Sequence, residues 1–197
     1  MTQLPADTRP VAPQHAIDAE RLGVWLAANV APLDGPLEIA QFKGGQSNPT
    51  YLLAAGSRRY VLRRKPPGKL LPSAHAVDRE YRVIRALADT DVPVARAHAL
   101  CEDDAVIGTA FYVMEYVGGR IFWDPRLPDL DPAARAVIHD EINRVIAALH
   151  SVDYAAVGLG DFGRTGEYIA RQEARWSKQY HASETEKIEA MDNLIAW

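Results

Sequence analysis

Glu80 stands where an apolar side chain is expected. Val77, Tyr81, Ile84 and Leu87 recur at the spacing that predicts a helix over residues 72–90, and Glu80 falls inside their arc. Asp78, Arg79, Arg82 and Arg85 lie on the other sides. A carboxylate in that arc must find a cation or strong donors, or reach water from the edge, because an uncompensated buried charge is costly. The nearest cations are in SRRYVLRRKPPGK, residues 57–69, which carries no acid. Strand alternation places Arg63 on the face of Val61, and Arg64 on the face of Tyr60 and Leu62. A strand arginine forked to a helix glutamate is therefore stereochemically simple. The basic run reads either as a local phosphate site or as a solvated strand edge. GGQSN, residues 44–48, is a glycine-containing turn, either a plain hairpin or a concavity whose N–H groups meet an anion. Asp161-Phe162-Gly163 offers a carboxylate in a turn, a form that could hold a divalent metal. His150 lies near a helix end, where a histidine caps or meets the dipole. Trp123, Trp176 and Tyr180 could line an acceptor pocket, but aromatic residues at helical spacing usually belong to a core.

The elements that must position these residues follow from turn and cap signals. Residues 1–16 read as a flexible arm, and Asp18 as the cap of a helix ending near Val30, before Pro32. Strand-like segments at 37–42, 50–55 and 58–64 are joined by GGQSNP and GS turns, an antiparallel meander. The 72–90 helix has Ser73 as its expected cap, and two more strands are expected at 95–102 and 109–116. After Gly118-Gly119 the texture becomes helical. Asp131-Pro132 opens a helix with Ile138, Ile142, Val145 and Leu149 on one face, and further helices are expected over 166–181 and from 184 onward.

Composition sets outer bounds. A chain of 197 residues with 48% apolar content is long enough for one sizeable domain or two small lobes. A net charge of −4 argues against a general nucleic-acid surface, and no apolar run approaches the roughly 20 residues needed to span a bilayer. With no signal-peptide core and a single cysteine, Cys101, a cytoplasmic address is expected. The histidines and Cys101 show no metal-ligand spacing, and no metal ligand is assigned.

Taken together, FKGGQSNPTYLL, YVLRRKPPGKLLPSAHAVDREYRVIRAL, FYVMEYVGGRIF, ALHSVD and GLGDFGRTGEYIARQEARWSKQY resemble the protein-kinase-like phosphotransferases. The closer similarity is to the aminoglycoside phosphotransferase and choline kinase branch, and within it to the phosphotransferase domain joined to acyl-CoA dehydrogenases. That resemblance implies an α+β, protein-kinase-like fold. Residues 17–117 would form a nucleotide-binding lobe with a five-stranded antiparallel sheet, and residues 118–197 the beginning of a helical lobe.

The resemblance also implies site roles. Gly44, Gly45, Gln46, Ser47 and Asn48 would cover the phosphates, Val61 would lie against the adenine ring, and Arg63, held by Glu80, would meet the phosphates in place of the usual lysine. Met114 would be the gatekeeper in the strand before the hinge, whose Glu115, Tyr116 and Val117 would bind the base through backbone groups. ATP and Mg2+ are the implied cofactors, and the implied acceptor is a small-molecule hydroxyl, a hydroxyacyl compound over an antibiotic. In this superfamily the metal-binding Asp follows a catalytic loop with an Asp and a nearby Asn, and YAAVGLG before Asp161 has neither. Asp161-Phe162-Gly163 is therefore expected not to be the metal site. The catalytic loop and metal carboxylate are expected beyond Trp197, and no catalytic residue is assigned within the chain. The implied activity is transfer of the γ-phosphoryl group of ATP, with this segment inactive by itself. The alternative is a non-catalytic nucleotide-binding or scaffold module.

Overall fold

A computed structural model describes residues 5–44, 48–68, 75–163 and 166–197. The chain divides into two compact units, Met1–Asp153 and Tyr154–Trp197.

The first unit is built on an antiparallel sheet of six strands. They are β1 (Thr8–Arg9), β2 (Glu38–Phe42), β3 (Thr50–Ala55), β4 (Arg58–Arg64), β5 (Ala97–Cys101) and β6 (Phe111–Glu115), in the spatial order β1-β2-β3-β4-β6-β5. Five of these strands follow the sequence expectation. The sixth comes from the arm, where Thr8 and Arg9 pair with Phe42 and Gln41, so this part of 1–16 is a sheet edge. Two residues are too short a strand for a periodic pattern to announce.

Register assigns the two faces. Tyr51 stands opposite Leu62, Leu62 opposite Val113 and Arg64 opposite Phe111, and this face carries helix α1 (Ala19–Asn29). Leu22 and Leu26 of α1 are fully buried with Tyr51, Leu53, Leu62, Phe111 and Val113 in one cluster. Each such aliphatic side chain contributes about 2 kcal/mol of burial energy. Asp18 caps α1, accepting from the N–H groups of Glu20 and Arg21 at 3.1 and 3.0 Å. On the opposite face Thr50 stands against Arg63, Arg63 against Tyr112 and Val61 against Met114. Helix α2 (Val77–Leu87) packs beside β5 and β6. Ser73 lies outside the described residues, and the residue before α2, Ala76, makes no side-chain cap.

A short helix, α3 (Asp104–Ile107), was not anticipated, although Asp103 caps it at 2.9 Å and Gly108 ends it at φ +84°. It is held by Arg64, which is buried on the α1 side of the sheet. The Arg64 Nε donates to Thr109 Oγ1 at 2.9 Å and its Nη2 to the Ile107 carbonyl at 3.1 Å.

Helix α4 (Pro132–His150) closes the first unit, with Asp131 accepting from the Ala134 N–H at 2.8 Å. The second unit has a turn around residues 154–163 followed by α5 (Tyr168–Ser183) and α6 (Glu189–Ala196). None of α4, α5 and α6 contains a fully buried residue. Of the apolar face expected on α4, Ile138 and Val145 are half-buried while Ile142 and Leu149 are exposed. Among the described residues, no helix is long and apolar enough to cross a membrane.

Candidate functional site

Glu80 enters the unit from the first turn of α2 and meets the face of β4 and β6 opposite α1. Its carboxylate is met by a fork from β4. The Arg63 Nε donates to Oε2 at 2.9 Å and Nη2 to Oε1 at 3.3 Å. Two further donors complete it, Asn48 Nδ2 to Oε1 at 2.7 Å and the Tyr112 hydroxyl to Oε2 at 3.1 Å. The third guanidinium nitrogen, Nη1, donates to Thr50 Oγ1 at 3.2 Å. Thr50 in turn donates to the Asn48 carbonyl at 3.1 Å, and His75 Nδ1 lies 2.8 Å from Asn48 Oδ1. The network thus ties Asn48, β3, β4, β6 and the start of α2 to one carboxylate.

Its electrostatics follow from half-burial and pairing. Burial acts to raise the Glu80 carboxyl, but the hydrogen bonds and charge of Arg63, with Tyr112 and Asn48, outweigh it and hold Glu80 below the usual carboxylate range. For Arg63, burial works against the charge and Glu80 restores it, leaving a guanidinium more firmly protonated than usual. Burial, and then the adjacent Glu80 carboxylate, push the Tyr112 phenol well up, so it remains a donor.

A cleft of about 710 Å3 opens beside this network. Thr50 belongs to both. Val61 and Phe42 line it from the sheet, Tyr116 and Val117 from the segment just after β6, and Gly119–Ile121 with Trp123 from the stretch that follows. Pro5, Ala6 and Asp7 complete the wall at the sheet edge. Trp123 reaches back to the 44–48 turn, where a methyl group on Gly44 would stand 3.1 Å from its Cη2 atom. Glycine there lets the indole approach the start of the turn.

The profile of the phosphotransferase enzyme family matches residues 38–197, which includes every element just described except the arm and α1. The chain belongs to that family. Acyl-CoA dehydrogenase family member 10 of Mus musculus is 48% identical over 192 residues, which are 97% of this chain and 18% of the relative. Acyl-CoA dehydrogenase family member 11 of Homo sapiens is 42% identical over 196 residues, 98% of this chain and 25% of the relative. A crystal structure from Ralstonia eutropha JMP134, provisionally named an aminoglycoside phosphotransferase, superposes with a TM-score of 0.76 at 54% identity, over 92% of this chain and 53% of that one. The chain therefore spans about a fifth to a quarter of these curated relatives and about half of the solved neighbour. The α+β, kinase-like architecture expected from the sequence is the one these family members share.

Against this geometry, the residues singled out in the sequence fall into three groups. Arg63, Glu80 and Asn48 meet in the polar network, with Asn48 bonded to the glutamate. Val61, Tyr116 and Val117 line the cleft, and Gly44 lies at its rim under Trp123. Met114 and Glu115 precede the cleft-lining pair in β6. The Glu115 carboxylate turns to the Arg96 N–H at 3.2 Å, and the Glu115 N–H donates to the Arg96 carbonyl at 2.9 Å, which leaves this side chain with a structural task. Gly45, Gln46 and Ser47 lie outside the described residues.

Sequence reasoning missed Tyr112 as a partner of the carboxylate, Thr50 as a partner of Arg63, and His75 as a partner of Asn48. The first two flank Arg63 in register, a fact legible only once the strands are paired. It also missed that the arm pairs with β2 and lines the cleft.

Proposed function

We propose that this chain carries the nucleotide-binding part of an ATP-dependent phosphotransferase that moves the γ-phosphoryl group to the hydroxyl of a small molecule. The observation that carries this reading is the Arg63–Glu80 fork at the margin of a cleft bounded by Val61, Tyr116 and Val117. A volume of about 710 Å3 lies within the range of small-molecule sites, and the lining joins apolar Phe42, Val61, Val117 and Ile121 to Thr50, which accepts from Arg63, so a base and a polyphosphate tail would each find a partner. Arg63 is pinned by both nitrogens that face Glu80, so its positive charge is positioned before a ligand arrives and loses little orientational freedom on binding. The N–H groups of the 44–48 turn would cover the phosphates, with Asn48 fixing one end of that turn through Glu80.

ATP fits this donor and wall chemistry. Mg2+ supplies charge neutralisation between phosphate oxygens when bound with a nucleotide. Among the described residues no group of three His, Cys, Asp or Glu side chains gathers as a metal site. The residues of this chain bind and orient the nucleotide. The acceptor we propose is a hydroxyacyl compound, a reading supported by the names of the acyl-CoA dehydrogenase relatives.

Calorimetric titration of the chain with ATP tests the reading. Arg63→Ala and Glu80→Ala are each expected to weaken binding by about tenfold or more, since the first removes the phosphate cation and the second frees it from position. Binding unchanged in both variants would overturn the assignment.

A further inference from the structure

The arm that the sequence shows only as a polar, Pro-rich lead forms part of the cleft wall. Its placement is specific. Thr8 and Arg9 pair with Phe42 and Gln41, which fixes the residues just before them against the end of β2. Lys43 then grips that segment twice, its N–H donating to the Asp7 carbonyl at 2.9 Å and its Nζ to the Ala6 carbonyl at 2.7 Å. A turn within the arm completes it, with the Thr8 N–H and hydroxyl both donating to the Pro5 carbonyl at 3.0 and 2.7 Å. Lys43 immediately precedes Gly44, so the arm is held beside the start of the GGQSN stretch. Pro5, Ala6 and Asp7 then line the cleft across from Tyr116 and Val117.

Asp7 is the acidic residue of this wall. Lys43 spends its ammonium on the Ala6 carbonyl, and among the described residues no ion pair engages the Asp7 carboxylate. A carboxylate repels phosphate and attracts donors. In a nucleoside triphosphate the donors are the amino group of the base and the two sugar hydroxyls. On the reading above, the base edge is met by the 115–117 segment and the phosphates by Arg63 and the turn. The sugar lies between, beside the residue next to Lys43.

We propose that the N-terminal strand is a working wall of the ligand cleft, in which Asp7 accepts hydrogen bonds from the sugar hydroxyls of a bound nucleoside triphosphate. This inference rests on the nucleotide reading of the cleft. It assigns the chain a preference for ribonucleotides that Arg63, Glu80 and the turn cannot supply, because those groups meet the phosphates.

The test is a comparison of ATP with 2′,3′-dideoxy-ATP, each titrated into wild type, Asp7→Ala and Asp7→Asn. The side-chain changes leave the Asp7 carbonyl bond to Lys43 in place, and the dideoxy affinity reports whether the cleft is intact. Wild type is expected to prefer ATP by about tenfold, the size of a charge-assisted hydrogen bond lost on the ligand side. Asp7→Ala is expected to bind both nucleotides at the wild-type dideoxy level, and Asp7→Asn to keep part of the preference. The inference is overturned if wild type shows no preference, if Asp7→Ala retains it, if Asp7→Ala weakens both nucleotides equally, or if it tightens them. Wild type that binds neither nucleotide overturns the underlying reading as well.

Discussion

Four hydrogen bonds on one half-buried carboxylate make Glu80 the residue on which the site's geometry depends. Taking it out of water is costly, and the cost is offset because both oxygens are satisfied and one partner is a formal cation. Asparagine, tyrosine and arginine each reach it from a different element. Glu80→Gln keeps the shape but replaces one acceptor oxygen by a donor facing Arg63 or Asn48. It is expected to lower stability at neutral pH by about 1–2 kcal/mol, a figure kept small because the pair is still a third open to solvent. The pH dependence has a definite sign. The folded-state value of Glu80 is held below its ordinary 4.5, so its contribution is full above that value and is lost as the pH falls through the folded-state value. Urea denaturation of wild type and Glu80→Gln over a descending pH series should show the gap narrowing in that acid window. A gap independent of pH would mean that packing, and not the charge, carries the difference. The helix arc disclosed that Glu80 needed a cation, and strand alternation disclosed which arginine could supply it. Neither could disclose Tyr112, because a tyrosine in a β-strand is ordinary by type and becomes a partner only through the register opposite Arg63.

At the scale of elements, the two arginines of β4 show how alternation divides one strand between a paired and an unpaired charge environment. Arg63 is on the face opposite α1, bonded to cleft-lining Thr50, and is balanced by an acid. Arg64 faces the core, 3% exposed, and its partners are neutral: a threonine hydroxyl and a carbonyl that hold the α3 turn. Its Nη1 and the nearby Tyr51 hydroxyl are both buried without a hydrogen-bond partner among the described residues. Burial correspondingly lowers the Arg64 guanidinium below its usual range, against the opposing influence of Tyr51. Two substitutions separate clamp from charge. Arg64→Ala is expected to cost about 3 kcal/mol, since it opens a cavity and strips Thr109 and Ile107 of a donor. Arg64→Met fills most of the volume and removes a poorly solvated charge, so it is expected to cost about 1 kcal/mol or less. Thermal denaturation of the two variants checks this, and equal losses would mean that the hydrogen bonds to the α3 turn dominate. Elements with strong punctuation were legible: α1 behind Asp18, the β2–β4 meander between its turns, and α4 behind Asp131-Pro132. Those that escaped were short. Thr8–Arg9 is a strand because β2 offers it an edge, and Asp104–Ile107 is a helix because Arg64 anchors its end. Both depend on partners distant in sequence, which local patterns do not contain.

On the scale of the whole molecule, burial is uneven. The sheet and α1 enclose a continuous apolar cluster, while α4 to α6 have none of their residues fully buried. On α4, Val137, Ile142, Ile146 and Leu149 are 46–68% exposed, and on α5 Ile169 and Trp176 are 81% and 58% exposed. Single exposed apolar residues are commonplace, but Ile142, Ile146 and Leu149 follow at spacings of four and three and so share one helix face. A contiguous patch of this kind binds apolar probes and invites association. The sequence pattern named Ile142 and Leu149 together with Ile138 and Val145, which are half-buried, and did not name Ile146; periodicity reports which side is apolar and not what lies against it. The isolated chain is therefore expected to bind the dye ANS and to elute from size-exclusion columns with a concentration-dependent apparent mass. The double change Ile142→Glu and Ile146→Glu should reduce dye binding by about half or more, and remove the concentration dependence. Stability should move by less than about 0.5 kcal/mol, because exposed positions contribute little to folding. The opposite result, unchanged dye binding with a large loss of stability, would show that these side chains are packed in solution and that the face is already covered.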